Sequence, residues 1–377
     1  MTKPLGRIDT PAAKQPQRKG TEQLDAAMVR AYPIERCLDY GCSVDDVTKL
    51  RKRVVEGASW TNIACQLASD DLLRAAIESK KGYRASAMSF TLNAAACFRL
   101  AQSALEDDAQ QRLQTYVAQS DAFTQAMELA SQQVIRFDVV HETARHACWL
   151  YPAPEDETGK KPCVVVWGGA DGWCEAFYGS VADYNARGLS VCLIELPGQG
   201  LARLRDGSAL RHDFTLMVSA LLDELSNRGF GRSGFGVAGH SLGGTIALAA
   251  AAADDRFIAC CTNGGSVVFE RGLAKYPRVL QRFGRMLGDV QDPNDIIGFI
   301  KDLGLETAVP RMRANVLCLQ GGKDVLVADD EAHHLVQLRG KASASLELWP
   351  DGVHCLYDFS TERNAVMTGW FASQWID

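Results

Sequence analysis

Hydrophobic and polar positions follow two regimes that change over near residue 132. Before that point, apolar residues recur at helical spacing. Ser43, with Asp46 three residues on, predicts a capping box opening a helix that buries Val47, Leu50 and Val54. Ser59 predicts a second helix start, with Trp60, Ile63, Ala64 and Leu67 on one face. The Ala-rich segment from Arg84 to Leu105 aligns Phe90, Ala94, Cys97, Ala101 and Leu105. A fourth stripe runs through Leu113, Tyr116, Val117, Phe123, Met127 and Ala130. No two-residue alternation interrupts these patterns, so residues 21–131 are expected to form an all-helical unit.

After residue 132 the chain alternates. Strands are expected at 132–139, 147–152, 163–169, 190–198, 235–241, 257–262, 314–320 and 345–349. Helices are expected at 173–187, 212–228, directly after 241, and at 329–339 and 361–376. Several strand runs are almost continuously apolar, as parallel strands buried on both faces require. Strand and helix alternation of this length predicts an α/β core over 132–377, with a mostly parallel sheet covered by helices on both faces. Residues from about 265 to 312 break the rhythm and read as an inserted helical segment.

Length and charge narrow the classes. The chain has 377 residues, with 40 basic against 46 acidic side chains and a net charge of −6. This size suits two domains, or one large domain with additions. The mild acidity argues against a nucleic-acid surface. No apolar run nears the ~20 residues a membrane helix needs. Residues 1–20, rich in basic residues and proline, lack the apolar stretch of a secretory signal and read as a flexible leader. The twelve cysteines are scattered, several within apolar strand runs, which fits reduced thiols in a cytosolic protein. Cys37 and Cys42 have no matching Cys or His pair, so no metal site is expected.

The strongest chemical signal is Gly239-His240-Ser241-Leu242-Gly243-Gly244. It follows an apolar strand and opens an Ala-rich helix, the context a nucleophile elbow requires. The flanking glycines suit a turn so tight that side chains would collide. The alternative is a helix N-cap serine in a glycine-rich turn. A nucleophile needs an acid and a histidine, in the order Ser, Asp, His. Asp324 follows the run Asn315–Gln320, and His354 follows Leu346–Trp349. In open parallel sheets, active sites assemble at this carboxyl edge. Asp351 rivals Asp324 only with rearranged loops, and Asp329 and Asp330 read as helix-start acids. An oxyanion hole would use the amide of Leu242 and a second from Gly168-Gly169-Ala170-Asp171-Gly172, with Ala170 the candidate. That loop also reads as a plain strand-to-helix turn.

With these residues in view, the segment 132–377 resembles the α/β-hydrolase fold. The helical prefix, GGADGWCE (168–175), LPGQG (196–200), GHSLGG (239–244), GGKD (321–324) and DGVH (351–354) are similar to one group within it. That group contains 2,6-dihydroxypseudooxynicotine hydrolase and fungal polyketide-shortening hydrolases. The resemblance implies a Ser241–Asp324–His354 triad that hydrolyses carbon–carbon bonds beside a ketone, with plain esterases among the relatives. It implies that residues 21–131 and the 265–312 insertion cap an acyl pocket bordered by Trp173 and Glu175. An aromatic packing residue and a helix-start acid are the bland alternatives for those two. The expected ligand is a small acyl or ketone metabolite, with no cofactor, nucleic acid or membrane partner; a homodimer is compatible with this reading. The rivals are an esterase, thioesterase or acyltransferase on the same residues, and a non-catalytic binding protein on the same scaffold.

Overall fold

A computed structural model describes residues 18–105, 109–154, 161–170, 172–269, 273 and 275–376. The expected leader lies almost wholly outside these residues, as does Asp171. Six helices come first: α1 (Arg18–Ala31), α2 (Ile34–Asp39), α3 (Val44–Val55), α4 (Trp60–Lys80), α5 (Arg84–Gln102) and α6 (Ala109–Glu128). The Ser43 hydroxyl caps α3 by accepting from the Asp46 amide at 3.2 Å. The reciprocal arm of the expected box is absent, because the Ser43 amide donates instead to Asn93 on α5. Ser59 makes no side-chain cap; the Trp60 amide donates to the Asp25 carboxylate of α1 at 2.8 Å. A carboxylate is the stronger acceptor, and here it also ties α1 to α4.

The remainder carries one eight-stranded sheet: β1 (Ile135–His141), β2 (Ala144–Tyr151), β3 (Cys163–Trp167), β4 (Ser190–Ile194), β5 (Phe235–His240), β6 (Phe257–Asn263), β7 (Asn315–Gly321) and β8 (Ala344–Trp349). Its spatial order is β1-β2-β4-β3-β5-β6-β7-β8. β2 runs antiparallel to both neighbours, and every other pairing is parallel. The helices among these strands are α7 (Val181–Asn185), α8 (Gly200–Leu204), α9 (Phe214–Asn227), α10 (Leu242–Ala253), α11 (Pro277–Met286), α12 (Pro293–Asp302), α13 (Leu305–Ala308), α14 (Asp329–Arg339) and α15 (Ser360–Ser373). α11 to α13 lie between β6 and β7. The expected helix at 173–187 is instead a 3₁₀ stretch, Cys174–Ser180, followed by α7. Gly179 and Ser180, poor helix formers, sit at the change. The expected strand at 190–198 stops at Ile194, where the chain turns towards α8.

Alternation along the strands sends side chains into two cores. Cys163, Val165 and Trp167 face a core with α9 to α12, whereas Val164 and Val166 face the other. The second core continues without a break into the helical unit, through Trp60, Ile63, Ala94 and Phe123. The helical unit therefore covers one face of the sheet. Among the described residues, no helix is long and apolar enough to cross a membrane.

Candidate active site

β5 delivers Ser241 into a turn with φ 58° and ψ −134°, a conformation an L-residue holds only under constraint. The constraint is packing. A Cβ on Gly239 would lie 2.0 Å from the Gly243 carbonyl oxygen, and one on Gly244 would lie 2.2 Å from Thr262 Oγ1. The Trp167 indole donates to the Gly243 carbonyl at 2.8 Å, fixing the start of α10 against β3. The Ser241 amide donates to the Asn263 carbonyl at 2.8 Å. This turn presents the serine side chain above the carboxyl edge of the sheet.

His354 and Asp324 arrive at the same edge. His354 Nε2 lies 2.8 Å from Ser241 Oγ, and its Nδ1 lies 2.7 Å from Asp324 Oδ2. The Asp324 carboxylate is fully buried, and its other oxygen accepts from the amides of Leu326 (2.8 Å) and Val327 (3.1 Å). Burial pulls the His354 pKa down, but the Asp324 carboxylate overrides it and raises the pKa above the ordinary histidine value. Behind His354, Cys355 and Leu356 both hold left-handed backbone, with φ 58° and 55°. The Cys355 carbonyl accepts from Asn263 Nδ2 and from Arg363, each at 3.0 Å. Asn263 thus joins the serine turn to the histidine turn.

The loop after β3 closes on the serine. A Cβ on Gly169 would sit 3.0 Å from the Leu242 nitrogen and 3.1 Å from Ser241 Cβ, so any larger residue would have to push the serine turn away. Gln199 Nε2 donates to the carbonyls of Gly168 and Gly169, both at 2.8 Å. Its Oε1 accepts from the Leu196 amide at 3.0 Å. The segment Gly168–Ala170 is thereby fixed beside the first amides of α10.

Other candidates sit elsewhere. Asp351 is exposed and pairs with Lys323 at 2.6 Å, and Asp329 starts α14. His334 pairs with Glu306, His212 stacks on Phe299, and His240 stacks on Phe177 with ring centres 4.4 Å apart. Burial holds the His240 pKa well below the ordinary value, so that ring is neutral. Trp173 and Glu175 are fully buried and engaged by α6. The Trp173 ring meets Tyr116 edge-on at 4.7 Å, and the Glu175 carboxylate accepts from Tyr116 (3.1 Å) and Gln119 (3.3 Å).

The helical unit reaches the site along a polar seam. Tyr40, just after α2, places its hydroxyl 3.1 Å from that of Tyr357 and 3.1 Å from where a Gly172 Cβ would stand. The Arg36 guanidinium lies over the rings of Tyr32 (4.4 Å), Tyr40 and Tyr357 (each 5.2 Å). Asp39 and Arg363 form a buried two-pronged ion pair at 2.7 and 3.0 Å. A groove of about 740 Å³ on the outside of the helical unit, lined by Lys52, Arg53, Asp70 and Arg74 among others, contains none of the site residues. Among the described residues, two clusters bring metal-ligating atoms within 4.8 Å of one another: Asp46, Asp71 and Cys97, and Cys174, Glu175 and Glu195. Both are hydrogen-bonded within the protein, the first through Asn93 and the second through Tyr116.

Geometrically, the edge can activate a hydroxyl, hold an imidazolium, and present backbone amides to a nascent oxyanion. Asn263 and Gln199, which position these groups, have no distinct mark in the sequence beyond the LPGQG string. A model of the alpha/beta hydrolase family matches residues 164–372. Over 226 residues the chain is 26% identical to 2,6-dihydropseudooxynicotine hydrolase of Paenarthrobacter nicotinovorans, a match covering 60% of each chain. It is 30% identical over 204 residues to alpha/beta hydrolase ucsC of Acremonium sp, covering 48% of this chain and 41% of that one. The match thus spans 60% or less of the length of these two relatives. The crystal structure of 2,6-dihydroxy-pseudo-oxynicotine hydrolase aligns with a TM-score of 0.80 and 22% identity, over 91% of this chain and 95% of that one. At that identity the likeness is one of fold.

Proposed function

We propose that this chain, which belongs to the alpha/beta hydrolase family, is a serine hydrolase that cleaves a carbon–carbon bond beside a ketone in a β-diketone or acyl-phenol metabolite. The observation that carries the reading is the Ser241–His354–Asp324 relay, with two hydrogen bonds of 2.8 and 2.7 Å at one sheet edge. His354 takes the Ser241 proton as Oγ attacks the carbonyl, and Asp324 orients the ring and stabilises the imidazolium. The amides of Leu242 and Ala170 hold the oxyanion. Collapse of the tetrahedral adduct breaks the bond to the neighbouring carbon, whose electron pair becomes an enolate or phenolate. The His354 imidazolium protonates that carbon. Water, deprotonated by His354, then releases the acid from Ser241.

Three features favour carbon–carbon cleavage over simple ester hydrolysis. A relative over more than half the chain is named 2,6-dihydropseudooxynicotine hydrolase. The seam of Arg36 and three phenols beside the His354 turn suits a substrate bearing enol or phenol oxygens. The covering helical unit also limits water, so protonation of the carbanion is left to the histidine. Fluorophosphonate treatment should label Ser241, and Ser241→Ala should abolish turnover. In ¹⁸O-water, an acyl-phenol substrate should release acid carrying the label. If a broad panel of such ketones is inert while simple esters turn over efficiently, the esterase reading replaces this one.

A further inference from the structure

Two glutamates meet out of water behind the loop that faces Ser241. Glu195 directly follows β4 and Glu175 follows the oxyanion loop; both are fully buried. Tyr116 of α6 places its single hydroxyl 2.6 Å from Glu195 Oε1 and 3.1 Å from each oxygen of Glu175. A phenol has one proton to give. If both acids were ionised, at least one carboxylate oxygen would face the phenol's lone pairs. A proton on one carboxyl removes that conflict.

We propose that Glu175 and Glu195 share one proton and, with Tyr116, form a clamp that positions the oxyanion loop, so that loss of this proton sets the upper pH limit of activity. The clamp grips the loop at both ends. At one end, the Glu195 carboxyl accepts from the amides of Leu201 (3.2 Å) and Ala202 (3.4 Å). It packs so close to Gly200 that a Cβ there would lie 1.7 Å from it. That contact sets Gln199, whose amide holds the Gly168 and Gly169 carbonyls. At the other end, Glu175 ties the segment after Gly172 to α6 through Tyr116 and Gln119. Two negative carboxylates here would push those ends apart. These are positioning residues, since neither carboxyl faces the reacting atoms.

Among the described residues, two nearby arginines are committed to other acids. Burial first, then the neighbouring Glu175 charge, push the Glu195 pKa up to about 8. Burial keeps Cys174, Tyr116 and Tyr151 neutral, with pKa values well above their ordinary ones. Of the nearby cations, Arg205 is bonded to Asp206 at 2.7 Å and Arg136 to Asp138 at 2.7 Å. Arg112 lies over Trp173 and donates to Gln102.

The inference rests on the oxyanion loop of the proposed function, and the test separates the two. The full chain is assayed with p-nitrophenyl butyrate across pH, as the wild type and as Glu195→Gln, Glu195→Ala and Ser241→Ala. Wild-type kcat should fall on the alkaline side near pH 8. Glu195→Ala should lower kcat at pH 7 by about 10²-fold, the cost of one misplaced oxyanion donor. Glu195→Gln, a neutral stand-in for the protonated acid, should recover most of that loss and move the alkaline fall to higher pH. Infrared titration of the wild type should show a buried carboxylic-acid band at pH 7 that disappears with the same midpoint, a readout independent of variant folding. An unmoved alkaline fall in Glu195→Gln, or no such band, overturns the clamp. One divalent metal ion per purified chain also overturns it, because the ion would replace the shared proton. Activity surviving in Ser241→Ala overturns the nucleophile reading instead.

Discussion

At the carboxyl edge of the sheet, Ser241, Asp324 and His354 meet although 113 residues separate the serine from the histidine. At the seam with the helical unit, Asp39 meets Arg363 and Tyr40 meets Tyr357 across 324 and 317 residues. The two meetings have different causes. Parallel strands set the first: each side chain sits in a loop just past a strand end, and the ladder fixes those ends in register. Side chains reaching between two packed bodies set the second, so a small shift of the helical unit breaks them together. The interiors differ likewise. The strands bury continuous apolar runs, whereas α5 and α6 also bury Asn93, Arg99, Gln102, Arg112 and Gln119. A sheet edge organises chemistry by backbone geometry, and a seam organises access and support by matched polar pairs.

The largest effect expected is that of removing the second body. A chain beginning at residue 132 exposes the apolar sheet face bearing Val164, Val166 and Leu193, and should aggregate and lose all turnover. A soluble, fully active fragment would show that the seam is incidental. Next comes Asp324→Asn, expected to cut turnover about 10⁴-fold while far-ultraviolet circular dichroism stays unchanged. The sign of the pH effect follows from the neutral base. The Asp324 carboxylate raises the His354 pKa, and activity falls as pH drops through that value. Its loss should shift the acid limb of kcat/KM to lower pH.

Arg363→Ala strands the buried Asp39 carboxylate and should cost about 3–5 kcal/mol in urea unfolding. It also removes one of the two donors to the Cys355 carbonyl, so kcat should fall as well. If kcat is untouched while stability drops, the seam supports the fold without reaching the site. Tyr40→Phe should be the mildest, at about 1 kcal/mol, the ordinary worth of a hydroxyl hydrogen bond. Because Tyr40 borders Gly172, a rise in KM with little change in kcat would place it on the substrate's path.

What was legible from the chain divides along the same line. The helical character of the first third and the succession of strands along the chain follow from local pattern, and the three edge residues stand out because each follows an apolar strand run. Asp39, Arg363, Tyr116 and Glu195 carry no such mark. A charged residue at a strand or helix end usually faces water, and only a distant partner makes it a buried contact. Trp173 and Glu175 show the difficulty most clearly. The resemblance implied that they border the acyl pocket, and nothing in their own stretch of sequence indicates that α6 packs over both. Ser59 is a smaller instance: a good capping residue is displaced when a carboxylate from another helix arrives first.

The paired left-handed residues behind His354 also bear on how this protein responds to selection. Cys355 and Leu356 hold a backbone that glycine would adopt at less cost, of the order of 1 kcal/mol per residue. Both side chains are buried, Leu356 within the core, so Leu356→Gly would exchange that relief for a cavity costing about 2–5 kcal/mol, and a screen for heat tolerance alone should reject it. Glycine at either position would also widen the range of angles open to the turn that carries the imidazole. Selection for stability and selection for a firmly held imidazole therefore favour the same two residues, because their burial outweighs the strain of their backbone.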